Sequence, residues 1–390
     1  MIAARKLLSN ILLALLSVGI VFCSGCYNQL ELEDSIAPIG HGMDIDAQAS
    51  KFIASAQFAL PAQSDENTPK YIIRSAEGLS LEIAEHAIDM LLPRDPEWSF
   101  ADPLIIGETL ARTNVGYFLD HISRPSEIRE TAQLFIALGC TPKDILKAQA
   151  PPEDTSGMAL NKIIRAQRSN LIGYVPITVK EFVGKTAAPG IEPHMPQVII
   201  EQADGEDRIR LSGIAVFKGD KMVGSLTESE SRGFQFLNSS FRGGLLTVIP
   251  PGSNESKVSN AYTLEVLHSE PRTTVVQNGA KTAMNIKIAV DGNLYELPHG
   301  NSLVDMYLLN ALEQHTNEAI RRDIMACISK LQTCQSDILG WGQTISRHDP
   351  ALWKTLAGDW PANFAAIDYA IEVDFKLRRT YLIGEELREQ

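Results

Sequence analysis

Between Ile367 and Leu377 the stretch IDYAIEVDFKL places Ile367, Tyr369, Ile371, Val373, Phe375 and Leu377 at every second position, with Asp368, Glu372, Asp374 and Lys376 among the residues between them. Successive side chains of a β-strand point to opposite faces, so this spacing gives one apolar face and one wet one. It demands a sheet covered on one side only. An antiparallel sheet with helices over its buried face is the expected setting. The chain upstream supplies the matching pieces. MNIKIAV and LYEL flank Asp291-Gly292-Asn293, which reads as a hairpin turn, and Ser302 with Asp305 predicts the start of a long helix running to about Leu331.

The first half alternates strand and helix patterns. IAPIGHGMDI and KFIASAQFAL read as strands, the second with Phe52, Ala54, Ala56, Phe58 and Leu60 on one face. GLSLEIAEHAIDMLLP predicts a helix with Leu81, Ala84, Ile88 and Leu91 inward. PLIIG predicts a buried strand, ETLARTNVGYFLDHISR a single helix and TAQLFIALG another strand. Further helical pieces are expected at 156–168 and 178–186. The segment 187–196, AAPGIEPHMP, reads as a boundary because it holds three prolines and a glycine. Beyond it, QVIIEQ and RIRLSGIAVFKGDKMVGSLT are strand-like, with a turn at Gly219-Asp220. Thr227 and Glu230 form a capping box that opens a helix, and RGGLLTVIP carries one more strand. The expected class is α+β, with mixed and antiparallel sheets flanked by helices. Three domains are expected at 26–195, 196–255 and 256–390 after a signal peptide at 1–25.

That leader rests on charge and length. Arg5 and Lys6 are the only charged residues before position 26, and the apolar run Ile11 to Phe22 is broken only by Ser17 and Gly19. A membrane-spanning helix needs about 20 apolar residues, so this run has the length of an export-signal core. Ser24 and Gly25 are small, and Cys26 follows them, with Cys23 three positions earlier. The arrangement resembles a bacterial lipobox, in which the signal is cut just before a cysteine whose thiol is diacylglycerated. Attached acyl chains contribute about 0.8 kcal/mol per buried methylene, so two or three of them hold a protein firmly at a membrane. Loss of Arg5 and Lys6 takes the net charge from −13 to −15. Such a body repels nucleic acid and anionic headgroups, leaving the acyl chains as the means of attachment.

Little in the sequence argues for chemistry. Three cysteines follow Cys26, namely Cys140, Cys327 and Cys334, and an odd, sparse set gives no disulfide framework. His41, Asp44 and Asp46 in GHGMDID suggest a metal cluster, but strand alternation sends His41 to the face opposite the two aspartates, and the glycines suit a bent strand. His315 lies within the long helix. Ser24, Ser239 and Ser240 sit in no G-x-S-x-G elbow, and FRGG at 241–244 lacks the helix that a phosphate cradle needs. Glu228 and Glu230 are helix-start charges, and Glu385 and Glu386 belong to a charged tail. Trp341, Trp353 and Trp360 are expected in the core of a helical lid. No catalytic, metal or cofactor site is expected.

Several stretches taken together resemble the Ger(x)C (GerAC-like) family of spore germination lipoproteins. They are CYNQLELEDSIAPIGHGMDID directly after the lipobox, SAEGLSLEIAEHAI, IIGETLA, SGIAVFKGDKMVGSLTESESRGFQFL and the long ending SDILGWGQTISRHDPALWKTLAGDWPANFAAIDYAIEVDFKLRRTYLIGE. Tyr27 stands where the family usually has Trp, and Cys23 where its lipobox usually has Leu. The resemblance implies a three-domain α+β lipoprotein without known enzymatic activity. It would be the C subunit of a nutrient germinant receptor, on the outer face of the inner spore membrane beside integral membrane A and B subunits. It carries one functional residue onto this chain, Cys26 as the lipidation site. The other reading, a solute-binding lipoprotein of a transporter, calls for two similar lobes around a cleft.

Overall fold

A computed structural model describes residues 32–60, 70–124, 128–166, 175–203, 205–238, 241, 243–250, 261–278, 281–297 and 306–379, together with Arg5 and Asn10. Apart from Arg5 and Asn10, the signal peptide expected at 1–25 lies outside the described residues, as do Cys26, the helix start expected at Ser302–Asp305, Ser239, Ser240, Glu385 and Glu386. From the amino end run β1 (Ser35–Ile36), β2 (Pro38–Asp46), β3 (Lys51–Ala59), β4 (Tyr71–Gly78), α1 (Leu81–Asp89), β5 (Asp95–Pro96), β6 (Leu104–Gly107), α2 (Glu108–Asn114) and α3 (Gly116–Ser123). Then follow β7 (Leu134–Ala137), α4 (Pro142–Lys147), α5 (Ser156–Ala166), α6 (Val179–Ala187), β8 (His194–Ala203), β9 (Glu206–Lys218) and β10 (Lys221–Leu226). Eight of these strands form one sheet in the order β10-β9-β8-β7-β6-β2-β3-β4. Its centre is parallel, and antiparallel hairpins extend both edges. The central strands LIIG and LFIA are buried at every position, as expected where both faces of a parallel sheet are covered.

The rest of the chain builds α7 (Glu228–Phe236), β11 (Gly244–Val248), β12 (Tyr262–Asn278), β13 (Lys281–Glu296), α8 (Met306–Cys334), α9 (Trp341–His348), α10 (Pro350–Leu356), α11 (Trp360–Ala366) and β14 (Asp368–Arg379). A second sheet has the order β11-β12-β13-β14. One apolar cluster runs from Ile105, Phe135 and Val198 of the first sheet through Phe234 and Phe236 to Ile286 and Ile288 of the second and to Ile320, Ile324 and Ile328 of α8. The two sheets therefore share a core. The α+β class with mixed sheets flanked by helices is as expected. Among the described residues no helix is long and apolar enough to cross a membrane.

Several expectations are corrected. The final strand is not antiparallel: β14 runs parallel to β13, with Ile286 opposite Ile371 and Ile288 opposite Val373. The chain between them passes through α8 to α11, and such a crossover brings a strand back in its original direction. β14 is an edge strand, and two of its outward amides are satisfied by α8: Phe375 N–H donates to Asn317 Oδ1 at 2.7 Å and Leu377 N–H to Glu313 Oε1 at 2.9 Å. Asp291-Gly292-Asn293 is no turn. β13 runs straight through it beside a bulge in β12, and the reversal falls between the paired Asn278 and Lys281. Gly292 is needed there because a Cβ would lie 2.7 Å from the Phe375 ring. The single helix expected at 108–124 is two, α2 and α3, broken at Val115, whose N–H donates to the Asp220 carbonyl in the β9–β10 turn. Leu91, expected inward, is exposed. Among the described residues the 196–255 segment has no sheet of its own: β8 to β10 extend the first sheet and β11 edges the second.

Other expectations match the structure. The Thr227–Glu230 capping box is formed, the β9–β10 turn lies at Gly219-Asp220, and Cys140, Cys327 and Cys334 are free thiols. Burial pushes the Cys140 thiol up to about 11 and raises that of Cys327 further, so neither is primed as a nucleophile.

Candidate functional site

Helix α1 owes its placement to Ser80, whose hydroxyl accepts the Ile83 amide as an N-cap, and to Leu81, Ala84 and Ile88, which it buries against β3 and β4. Glu85 lies on that same buried stripe, four residues after Leu81. A carboxylate there must find partners, and α3 and β2 supply them. His121 Nε2 lies 3.0 Å from the Glu85 carboxylate, and His121 Nδ1 lies 3.5 Å from Glu82 Oε2. From below, His41 Nε2 lies 3.4 Å from Glu85 Oε1, and neither ring nitrogen of His41 makes a hydrogen bond. Trp98 stacks at a tilt on His41, ring centroids 4.8 Å apart.

Burial splits the two histidines. Desolvation brings His41, which is fully inaccessible, down to about 4, against a smaller upward pull from Glu85. Burial also pulls His121 down, but its hydrogen bond to Glu85 and the charges of Glu85, Glu82 and Asp120 outweigh it and leave the imidazole above its ordinary value. A cleft of about 500 Å³ opens over the cluster, lined by Glu82, Glu85, Asp89, Asp95, Trp98 and His121. Glu82, Glu85 and His121 bring their ligand-type atoms within 4.8 Å of one another.

The structure separates the sequence candidates of GHGMDID, as strand alternation predicts. Asp44 Oδ1 accepts the Leu110 amide in the first turn of α2, Asp46 Oδ1 accepts the Gln48 and Ala49 amides in the β2–β3 turn, and His41 points to the other side. β2 is irregular between Pro38 and Gly40, in keeping with a bent strand. The partners of His41 are distant in sequence, in α1 and at Trp98. The available signal was Glu85 itself, a charged residue at a core position of an amphipathic helix.

The tryptophans expected in a helical lid are there. Trp341 and Trp360 are buried, and Trp353 packs on Trp360 with centroids 5.1 Å apart. Beneath them Asp337 is buried. Its Oδ1 accepts the Trp341 amide at 3.1 Å, and its Oδ2 accepts the Gly342 amide at 2.9 Å and the Trp360 indole at 3.1 Å. Desolvation raises Asp337 to about 7 despite those hydrogen bonds. The 187–196 stretch, expected as a boundary, is the seam that docks this lid: Glu192 N–H donates to the Asp337 carbonyl and Gln343 N–H to the Gly190 carbonyl.

Fold and cluster together define an α+β protein built on two main sheets, with a carboxylate–imidazole cleft that no serine, threonine, cysteine or lysine lines among the described residues. Family models place it further. Residues 28–200 match the spore germination protein N-terminal domain, and residues 212–381 match the spore germination B3/GerAC-like C-terminal domain. The chain belongs to the GerAC-like family of spore germination proteins. Spore germination protein KC of Bacillus subtilis (strain 168) is 20% identical over 97% of this chain and 98% of its own. Spore germination protein YndF of the same organism is 23% identical over 78% of this chain and 73% of its own. The crystal structure of the GerBC protein shares the fold, with a TM-score of 0.57 at 19% identity over 90% of this chain and 99% of its own.

Proposed function

We propose that this chain is the C subunit of a nutrient germinant receptor. In this reading it is tethered by lipid at Cys26 to the outer face of the inner spore membrane, and it acts by assembling with integral membrane A and B subunits. One observation carries the proposal: family similarity spans the chain from residue 28 to residue 381, beginning two residues after Cys26. The role is one of assembly, and no catalytic step or cofactor is assigned. The transporter reading fits less well, because its two lobes should be alike, whereas the two sheets here differ in strand number and order. The 1–25, 26–195, 196–255 and 256–390 division remains our proposal for signal peptide and domains, with the proviso that strands of the third segment complete the sheets of its neighbours.

The tether is tested by feeding labelled palmitate to cells expressing wild-type protein or Cys26→Ala. Label in the wild type alone, with the variant left uncut, supports the proposal. Equal processing and equal membrane retention of the variant would overturn it.

A further inference from the structure

The cluster under α1 has the chemistry of a cation site that the germination role does not require. Three donors of two kinds meet there: the carboxylates of Glu82 and Glu85, three apart on one helix face, and the imidazole of His121 from α3, with His41 of β2 behind Glu85. His121 turns Nε2 to Glu85 at 3.0 Å and Nδ1 to Glu82 at 3.5 Å, and one imidazole gives an ion only one of these nitrogens. One ligand atom from each of Glu82, Glu85 and His121 lies within 4.8 Å of the others, and ligand bonds of about 2.0–2.2 Å in a tetrahedron put neighbouring donors about 3.4 Å apart, so the exposed Glu82 side chain has to move inward to close the set on one ion.

A second observation points the same way. His41 is fully buried, both its ring nitrogens lack a hydrogen bond, and its Nε2 faces the cluster. A polar atom buried without a partner costs free energy, and a ligand would supply the missing one. The side chains of Glu85 and His121 are 11% and 9% exposed, while that of Glu82 is 78% exposed and stands at the cleft mouth. Asp89 and Asp95 add negative charge along the same cleft, which favours cation entry.

We infer that Glu82, Glu85 and His121 bind one divalent transition-metal cation of the zinc class. Two carboxylates balance the charge of a dication, and an imidazole ligand disfavours magnesium and calcium, which take oxygen ligands.

The test uses the full chain in detergent, stripped with chelator and titrated with ZnCl2 by calorimetry and with CoCl2 by visible absorption. One equivalent of zinc with micromolar or tighter affinity is expected, together with the cobalt absorption of four-coordinate geometry and no heat from MgCl2. Glu85→Gln and His121→Ala should each weaken binding at least tenfold. Glu82→Gln, at an exposed position that the fold does not depend on, should weaken it at least threefold. No saturable zinc binding up to millimolar concentration would overturn the inference and leave a cluster held by hydrogen bonds alone. Stoichiometric binding unchanged in all three variants would also overturn it, placing the ion on the thiols instead.

Discussion

Gly342, near the start of α9, lies against Gly190 so closely that a Cβ on Gly342 would sit 2.6 Å from the Gly190 Cα and 2.8 Å from the Trp360 ring. Backbone meets backbone where the 187–196 stretch receives the C-terminal helices, and Gly190 holds a left-handed φ of 75° in doing so. No side chain fits between them.

Gly342→Ala should therefore lower the melting temperature by roughly 1–4 °C, because overpacking costs about 1–3 kcal/mol, the unfolding entropy of a chain this long is about 0.8 kcal/mol/K, and the nearest neighbours are backbone and a buried ring. Gly184→Ala in α6 is the control. A Cβ there meets nothing within 4 Å, and alanine is the better helix former, so stability should rise by about 0.5–1 kcal/mol. Thermal denaturation of the two variants checks the contrast in sign.

Asp337 makes stability depend on pH in an unusual direction. Its folded value, raised to about 7, lies above the ordinary carboxylate value, so the folded state holds a proton that the unfolded chain releases. Its contribution is complete below about pH 4 and is lost as pH rises through about 7, at up to about 1.4 kcal/mol per pH unit. Asp337→Asn cannot titrate. It also sets an amide N–H2 against N–H donors, so it should be less stable than wild type by about 1–3 kcal/mol at pH 5. The gap between the two proteins should narrow from pH 5 to pH 7.5 in urea unfolding; a gap that widens would mean Asp337 is stabilised in its charged form.

Phe375 and Val373 rank the depth of β14. Phe375 is fully buried under Gly292, and Val373 is half-buried on the edge strand. Phe375→Ala should cost about 3–5 kcal/mol. Val373→Asp should cost less, about 1–3 kcal/mol, since its carboxylate keeps part of its water. Urea midpoints in the reverse order would mean that the strand is seated differently.

How much of this was legible in the sequence follows from the range of the forces involved. Local signals were readable: the alternation of β14, the Thr227–Glu230 box and the apolar stripe of α1 are set by neighbours within a few residues. The direction of β14 was not, because it is decided by a crossover about 70 residues long. Asp291-Gly292-Asn293 has the residues of a turn, yet its glycine answers to Phe375, 83 positions away. β12 is hidden in the sequence because Pro271 and Arg272 interrupt its apolar pattern, although Pro271 pairs with Ile288. In the cleft, the sequence sets His41 beside residues that are not its partners. Asp44 and Asp46 are near it in sequence, whereas Glu85 and His121 reach it only through the packing of α1 and α3 on the sheet.

The most direct measurement is germination of spores that lack this gene, across a panel of single amino acids, sugars and nucleosides. The receptor-subunit account predicts loss of response to one nutrient class with the others intact, restored by the wild-type gene and not by Cys26→Ala. An unchanged response to every nutrient in the panel would contradict it.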